Sequence, residues 1–463
     1  MKASILENPM QRITLTMILL NAFTTPLMLS AVNVALPSIA NDLSMNAVLL
    51  SWIPMAYLMA SAMFVLIFGR IADMIGRKKI FLIGTSSVIV TSLIAASVDS
   101  GITLITARFL QGVSAAMLYA TQVAIISSVF PPAKRGYVIG LTVSAIYFGL
   151  TTGPLIGGYI VDLYGWRASF VVHIPLALIA LTIGVLYVKD EWSSDERGSF
   201  DLFGAILYML SILIICLGVS YLPSSLSFIL ILFSFFGFIF FFLFEHKHKH
   251  PIFDTTLFFT NRVFTFSCLA SLIIYTATFA NVVQVSLYLQ YLKELSATST
   301  GLIMMCQPMT MAIFSPIAGR LSDKFEPKYL STIGMGITCC GLIMLSNLKI
   351  ESELNYLLLS LFITGLGFGL FSPPNVNAIM GSVEKKFYGS ATGAMATMRI
   401  IGQMSSMVLV TLIFALVIGS VEINQENYTA LENAIRIIFT IAAMLCIPGL
   451  YFSMARGNFI KTY

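Results

Sequence analysis

The sequence predicts an all-α integral membrane protein of fourteen transmembrane helices: two six-helix pseudo-repeat bundles and an inserted two-helix hairpin. Three observations carry that expectation. The 463-residue chain is 58% apolar or aromatic and only 10% charged, with a mean hydropathy of +0.91. A soluble domain runs at about 45–50% apolar and about 25% charged, so an ordinary soluble enzyme and a disordered scaffold are both excluded. Fourteen stretches reach the roughly 20 apolar residues that a spanning helix needs. Finally, a short motif recurs 250 residues along the chain.

In order, the spans fall at 13–36, 46–69, 80–98, 102–127, 137–160, 168–188, 202–222, 226–244, 263–290, 300–319, 329–347, 356–383, 392–418 and 434–455. The loops between them are short and leave no room for a soluble domain. The charged start (Lys2, Glu7, Arg12) runs into a span too long for a signal-peptide core. Of the 26 Lys and Arg residues, twenty fall on the side of the N-terminus; Arg167, Lys293, Lys349 and Arg436 fall on the other, and Arg108 and Arg399 lie inside spans. Basic residues accumulate on the cytoplasmic side, so both termini are expected in the cytoplasm and the chain in the cytoplasmic (inner) membrane. The net charge of +5 follows from that bias and suits anionic head groups. No contiguous basic groove points to nucleic acid. Trp52, Trp166 and Trp192 sit near span ends as interface anchors. The six cysteines fall within spans as buried thiols, without disulfide or metal-type spacing. No metal or cofactor is expected.

The recurring motif is Gly69-Arg70-Ile71-Ala72-Asp73 after the second span and Gly319-Arg320-Leu321-Ser322-Asp323 after the tenth. Equivalent copies eight spans apart imply six spans per half and two extra ones between. The expected organisation is a bundle over residues 1–188, inserted helices 7 and 8 with linkers over 189–255, and a second bundle over 256–463. Duplicated six-span halves recur among transporters, with the substrate held between them near the midplane.

The first inner loop continues as Gly76-Arg77-Lys78-Lys79. Its glycines permit a tight turn, and Asp73 can accept hydrogen bonds from a neighbouring helix N-terminus. Gly69 to Lys79 resembles the signature loop of the major facilitator superfamily. The likeness continues in Arg108-Phe109-Leu110-Gln111-Gly112 of span 4, Asn33-Val34-Ala35-Leu36-Pro37, Gly165-Trp166-Arg167, Gly365-Leu366-Gly367-Phe368-Gly369 and Arg399-Ile400-Ile401-Gly402. Span 5 carries Gly149-Leu150-Thr151-Thr152-Gly153-Pro154-Leu155-Ile156-Gly157-Gly158, similar to the motif associated with antiporters of that family. The resemblance implies a fourteen-span exporter like the bacterial drug:proton antiporters. It also implies conformational roles for Gly69, Asp73, Gly76, Arg77, Gly149, Gly153, Pro154, Gly157, Gly158, Asp323 and Arg399. Glycines at four-residue spacing let another helix pack closely, and Pro154 bends its helix.

Arg108 lies six residues into span 4, roughly 9 Å deep by helical rise. A cation at that depth should face the bundle interior or a wet cavity, and Gln111 follows on the same face. A substrate role is expected for both, with Asn33, Gln122, Asn281, Gln284 and Gln307 as further polar lining. Asn21, Asn375, Asn377 and Gln403 are available as well, and Tyr147, Phe148, Tyr275 and Tyr288 offer an aromatic wall. All 21 acidic residues map to loops or span ends. Where many such antiporters carry an aspartate in span 1, this chain has Met28. His173, the one other buried titratable group, is a proton-carrier candidate, the alternative reading being a hydrogen-bonded packing histidine. His246 to His250 reads as a solvated basic loop.

These residues suggest a secondary transporter that couples protons to export of a small molecule, one bearing anionic or carboxylate groups in the manner of a polycarboxylate siderophore. The alternative is a broad multidrug efflux pump for lipophilic drugs. No phosphate-binding loop supports direct ATP drive. An intramembrane enzyme would need paired carboxylates, a catalytic His/Asp or a metal site at depth. The expected partners are the substrate, protons and the bilayer, and the expected state is a monomer.

Overall fold

A computed structural model describes residues 8–193, 200–248, 251–253, 255–322, 324–384 and 388–457. Fourteen of its helices are long and apolar enough to cross a membrane. They are α1 (Pro9–Asp42), α2 (Ala47–Ile75), α3 (Arg77–Ala96), α4 (Gly101–Val129), α5 (Tyr137–Tyr164), α6 (Trp166–Leu186) and α7 (Leu202–Ser220). There follow α8 (Ser225–Lys247), α9 (Arg262–Leu292), α10 (Ala297–Ser322), α11 (Pro327–Ser346), α12 (Leu354–Gly381), α13 (Ser390–Val417) and α14 (Gln425–Ala455).

Their ends follow from side chains that satisfy first-turn N–H groups. Asn8, Asn46, Ser100, Asp201, Ser224, Asn261 and Ser296 each accept a backbone hydrogen bond at a helix start. Such a cap is worth about 1 kcal/mol. Gly76, with φ of 124°, ends α2 in a conformation that other residues rarely adopt.

Three spans are less regular than their hydropathy implies. α6 begins as a 3-10 turn (Trp166–Phe170) and becomes α-helical at Ile174, which puts His173 at the junction. α9 breaks at Phe279 and Ala280, where Ala280 N donates to Ser406 Oγ at 3.0 Å, and ends in a π-helical turn. α10 consists of Ala297–Met304 and Cys306–Ser322.

Helices α1 to α6 pack on one another, as do α9 to α14, giving two six-helix bundles. The main pairings that join them are α1 with α9 and α10, α2 with α13, α4 with α13, and α5 with α10. The inserted α7–α8 hairpin is not a free appendage. α7 packs on both α2 and α13, so it covers a seam where the bundles meet, and Tyr208 Oη donates to Ala62 O at 3.0 Å. α8 lies outermost, with Phe228, Phe233, Phe235 and Phe236 exposed.

The described ends, Asn8 and Gly457, lie at one face, here the terminal face; the other is the distal face. The bundles are joined at the distal face. Asp162 at the end of α5 accepts from Ala297 N at 3.2 Å and Thr298 N at 2.8 Å, the first turn of α10. Ser51 and Thr411 are 2.8 Å apart, Gln290 Nε2 donates to Val34 O at 2.9 Å, and Ala47 N donates to Val421 O at 3.0 Å. At the terminal face a space of about 1240 Å³ separates α2 and α4 from α13. The conformation is therefore sealed distally and parted terminally.

Two sequence expectations need correction. Trp166 is 3% exposed and donates Nε1 to Asp42 Oδ2 at 2.9 Å, so it is packed inside protein rather than at an interface. Cys340 is exposed, unlike the buried Cys216, Cys268 and Cys446.

Candidate functional site: a central cavity between the bundles

Between the bundles lies a cavity of about 1120 Å³, its mouth included. α1 contributes Asn21, Thr25 and Ser30; α4 contributes Tyr119 and Gln122; α9 contributes Tyr275 and Thr278; α10 contributes Gln307; and α13 contributes Arg399 and Gln403. Apolar side chains supply most of the remaining wall. Arg399 is the one charged side chain among the described lining residues, and its guanidinium stands 5.7 Å above the Tyr119 ring. Gln122 Nε2 has no partner among the described residues. The site thus offers hydrogen-bond donors and one positive charge in an apolar, aromatic setting.

Of the expected substrate residues, Gln122 and Gln307 line this cavity. Arg108, Gln111, Asn33, Asn281 and Gln284 do not; all five are buried elsewhere in the helix packing. Arg108 is fully buried inside the first bundle. Its Nε donates to Ile53 O at 3.2 Å, its Nη1 to Gln111 Oε1 at 2.5 Å, and its guanidinium lies 4.5 Å over the Tyr57 ring. Gln111 Nε2 donates to Ser92 Oγ at 2.6 Å, and Ser92 Oγ meets His173 Nε2 at 3.2 Å. Met28, in place of the acid, takes part through its sulfur, 3.2 Å from Gln111 Nε2. Tyr57 Oη and Tyr119 Oη are 3.1 Å apart. Contacts therefore run unbroken from His173 through Ser92, Gln111, Arg108, Tyr57 and Tyr119 to Arg399.

Replacing Arg108 by alanine strands Gln111 Oε1 in the interior and removes a second bond to Ile53 O, which keeps its helical donor. The expected cost is about 2–4 kcal/mol, read as a lower unfolding midpoint in detergent. A direct substrate anchor would instead show as weaker binding at unchanged stability.

The aromatic candidates divide similarly. Tyr275 lines the cavity, and Tyr147 reaches across to Ser372 Oγ at 3.4 Å. Tyr288 donates to Lys349 O at 2.7 Å, and Phe148 is 61% exposed, so neither belongs to the wall. Asn375 and Asn377 serve the second bundle. Asn375 Oδ1 accepts from Arg456 Nη1 at 2.8 Å, and Asn377 Nδ2 donates to Ser322 Oγ at 2.5 Å. The buried Arg456 cluster, completed by Ser267 and Ser331, was missed because Arg456 lies beyond the last apolar stretch.

The conformational candidates are more precisely placed. Gly69, Asp73 and Arg77 line the terminal space. Asp73 was expected to cap a neighbouring helix; it instead pairs with Arg77 at 2.7 Å, and Arg77 Nη1 donates to Ser128 Oγ at 2.6 Å. The capping role falls to Glu191, which accepts from Lys78 N at 2.8 Å and Lys79 N at 3.2 Å. A Cβ at Gly76 would collide with that carboxylate. Asp323 lies outside the described residues. On α5, Gly149, Gly153 and Gly157 pack against α1 within their own bundle, whereas Gly158 meets the Ala297 backbone and Pro154 meets Gly301 across the seam. Close packing was expected of the whole stripe, and the structure divides it between two partners.

One cluster was not foreseen. Asp201 and Glu245 sit at helix ends, as expected of acids, but both are buried side by side at the terminal foot of the hairpin. Beside them, His248 Nδ1 is 3.6 Å from Asp201 Oδ2, so that histidine packs against the pair, whereas His246, with Nδ1 3.3 Å from Thr255 Oγ1, and Lys247 are exposed as expected.

Two helical bundles around a central cavity, closed at one face and parted at the other, define a secondary transporter. The chain belongs to the Major Facilitator Superfamily, whose profile matches residues 18–275 and 267–457. Among its relatives is the riboflavin transporter RibZ of Clostridioides difficile (strain 630), 29% identical over 445 residues, covering 95% of this chain and 96% of that protein. Another is the multidrug resistance protein Stp of Mycobacterium tuberculosis (strain CDC 1551 / Oshkosh), 30% identical over 377 residues, covering 80% of this chain and 70% of that one. A crystal structure of a POT family transporter in complex with a thioalcohol-conjugated peptide superposes with a TM-score of 0.74 at 16% identity, over 96% of both chains. That likeness speaks for the fold.

Proposed function

We propose that the chain is a proton-coupled exporter of the cytoplasmic membrane, acting as a monomer rather than an enzyme, and that its substrate is a small amphipathic molecule with an acidic group. The observation that carries this reading is the cavity itself: one arginine, unopposed by any acidic side chain among the described lining residues, with amides and aromatic rings around it. Arg399 is half-buried, and a positive charge in such a setting favours an anion once both are desolvated. Arg399 thus takes the anchoring role expected of Arg108, and Arg108 serves the contact chain that ends at His173.

The terminal face is the cytoplasmic one on the distribution of Lys and Arg. The described conformation then presents the cavity to the cytoplasm, as loading for export requires. Residues 1–188 and 256–463 rock against each other, and 189–255 covers the seam. His173 is the proton carrier in this reading, because its occupancy reaches Arg399 through the chain of contacts. In sealed vesicles with an internal pH dye, wild type releases an imposed proton gradient when substrate is added. His173→Ala is expected to bind substrate with less than about a threefold change while losing gradient release; equal release by the two proteins would refute the assignment.

A second reading rests on the largely apolar wall and on relatives described as multidrug resistance proteins. In that case lipophilic drugs of several charges are carried, and Arg399 contributes little.

A further inference from the structure

The foot of the hairpin holds two carboxyl groups against each other. Asp201 opens α7 and is 4% exposed; Glu245, in the last turn of α8, is 1% exposed. Asp201 Oδ1 accepts from Gly204 N at 2.9 Å, and Glu245 Oε2 accepts from Phe253 N at 3.1 Å. The remaining oxygens, Asp201 Oδ2 and Glu245 Oε1, have no hydrogen-bond donor among the described residues. Both would meet a Cβ built on Gly204, so they converge on the gap that this glycine leaves. Each oxygen lies well inside contact distance of the point that Cβ would occupy, so the two carboxyl groups face each other across one small gap. Ionised carboxylates only accept, so that approach is favourable when one of them carries a proton. In such a pair the proton belongs to both groups.

The charged surroundings do not remove this requirement. His248 Nδ1 stands 3.6 Å from Asp201 Oδ2 and forms an ion pair with it when the imidazole is protonated, but one cation offsets only one of two carboxylates. His246 and Lys247 flank Glu245 on its own helix. α7 adds only Tyr208 and Cys216 as further titratable groups, and Pro251, Ile252 and Phe253 add none. The space beyond contains Arg70, Asp73 and Arg77.

What the pair holds is informative. Glu245 grips the backbone of Phe253, and Pro251, Ile252 and Phe253 form part of the wall of the terminal space. The hairpin above them is seated across the α2–α13 seam. We propose that Asp201 and Glu245 form a proton-binding site that fastens the 251–253 connector to the hairpin, and that loss of the shared proton frees the connector from the vestibule wall. The site lies outside both bundles and away from the substrate cavity, so it governs access to the vestibule and not substrate fit. The fastened form binds the extra proton; it is favoured at low pH and lost as pH rises.

Infrared difference spectra of the full chain in nanodiscs, recorded from about pH 5 to about pH 9, test the proton directly. A protonated-carboxyl band is expected that fades as pH rises and is missing from both Glu245→Gln and Asp201→Asn. A nitroxide on Ile252→Cys, with the native cysteines replaced, tests the fastening. It gains mobility over the same pH range in wild type and stays immobile throughout in Glu245→Gln, whose amide donates permanently to Asp201 Oδ2. Asn at 201 retains an oxygen for the Gly204 cap, so both variants keep the fold, which circular dichroism verifies. A wild type without the band, a band that survives both substitutions, or a pH response that persists in Glu245→Gln overturns the proposal.

Discussion

Arg399→Ala is expected to weaken binding of an acid-bearing substrate by about 2–4 kcal/mol, roughly 30- to 1,000-fold. The reasoning is one of local compensation. An anion entering an apolar cavity gives up its hydration, and the guanidinium is the one charged group among the described lining residues that offsets the loss. Tyr119, with its ring 5.7 Å below, helps to hold that guanidinium in place. Arg399→Lys should recover part of the affinity, since the charge remains while the planar stacking is lost. Titration calorimetry on purified protein checks both values, and Arg108→Ala protein that stays folded should bind within a few-fold of wild type.

Gly301→Leu is expected to abolish transport, by about 100-fold or more, through loss of the distal seal. A Cβ at Gly301 would overlap the Pro154 carbonyl, whose carbon lies 2.8 Å away, and Leu155 Cα lies at 3.3 Å. All of these are backbone atoms or close to it, so no side-chain rotation relieves the clash. α5 and α10 can then approach only incompletely, and a shift of a few kcal/mol in a two-state equilibrium changes populations by orders of magnitude. A Ser51→Cys, Thr411→Cys pair reports the outcome, because the native hydroxyls are 2.8 Å apart. Oxidation should cross-link the pair readily in an otherwise wild-type chain and poorly with Gly301→Leu. Gly149→Leu makes a contrast, since Gly149 faces Phe23 within its own bundle; its expected defect is in stability.

Much of this architecture was legible because lipid leaves the backbone few choices. Long apolar runs had to be helices, and the Gly69 and Gly319 copies gave the two-fold division. The division of labour among polar residues was not legible. Depth along a helix placed Arg108 and Arg399 alike inside the membrane, but rotation about the helix axis decides that one faces Tyr57 and Ile53 within a bundle and the other faces the cavity. Asn33, Asn281 and Gln284 were misjudged for the same reason. The break at Phe279 and Ala280 depends on Ser406, 126 residues away, and no local signal announces it. The acidic pair did leave a trace. Asp201 and Glu245 are each 22 residues from Pro223, and a hairpin that turns there must bring its two far ends together.

The most direct test of the central claim uses wild type, Arg399→Ala and Arg108→Ala in sealed vesicles with an imposed proton gradient and an internal pH dye. Polycarboxylates and lipophilic cations are added in turn. The account predicts that polycarboxylates release the gradient through wild type, that Arg399→Ala abolishes this by losing the substrate, and that Arg108→Ala, which interrupts the contacts from His173, loses release while the folded protein still binds. Release by lipophilic cations, at equal rates in wild type and Arg399→Ala, would contradict it.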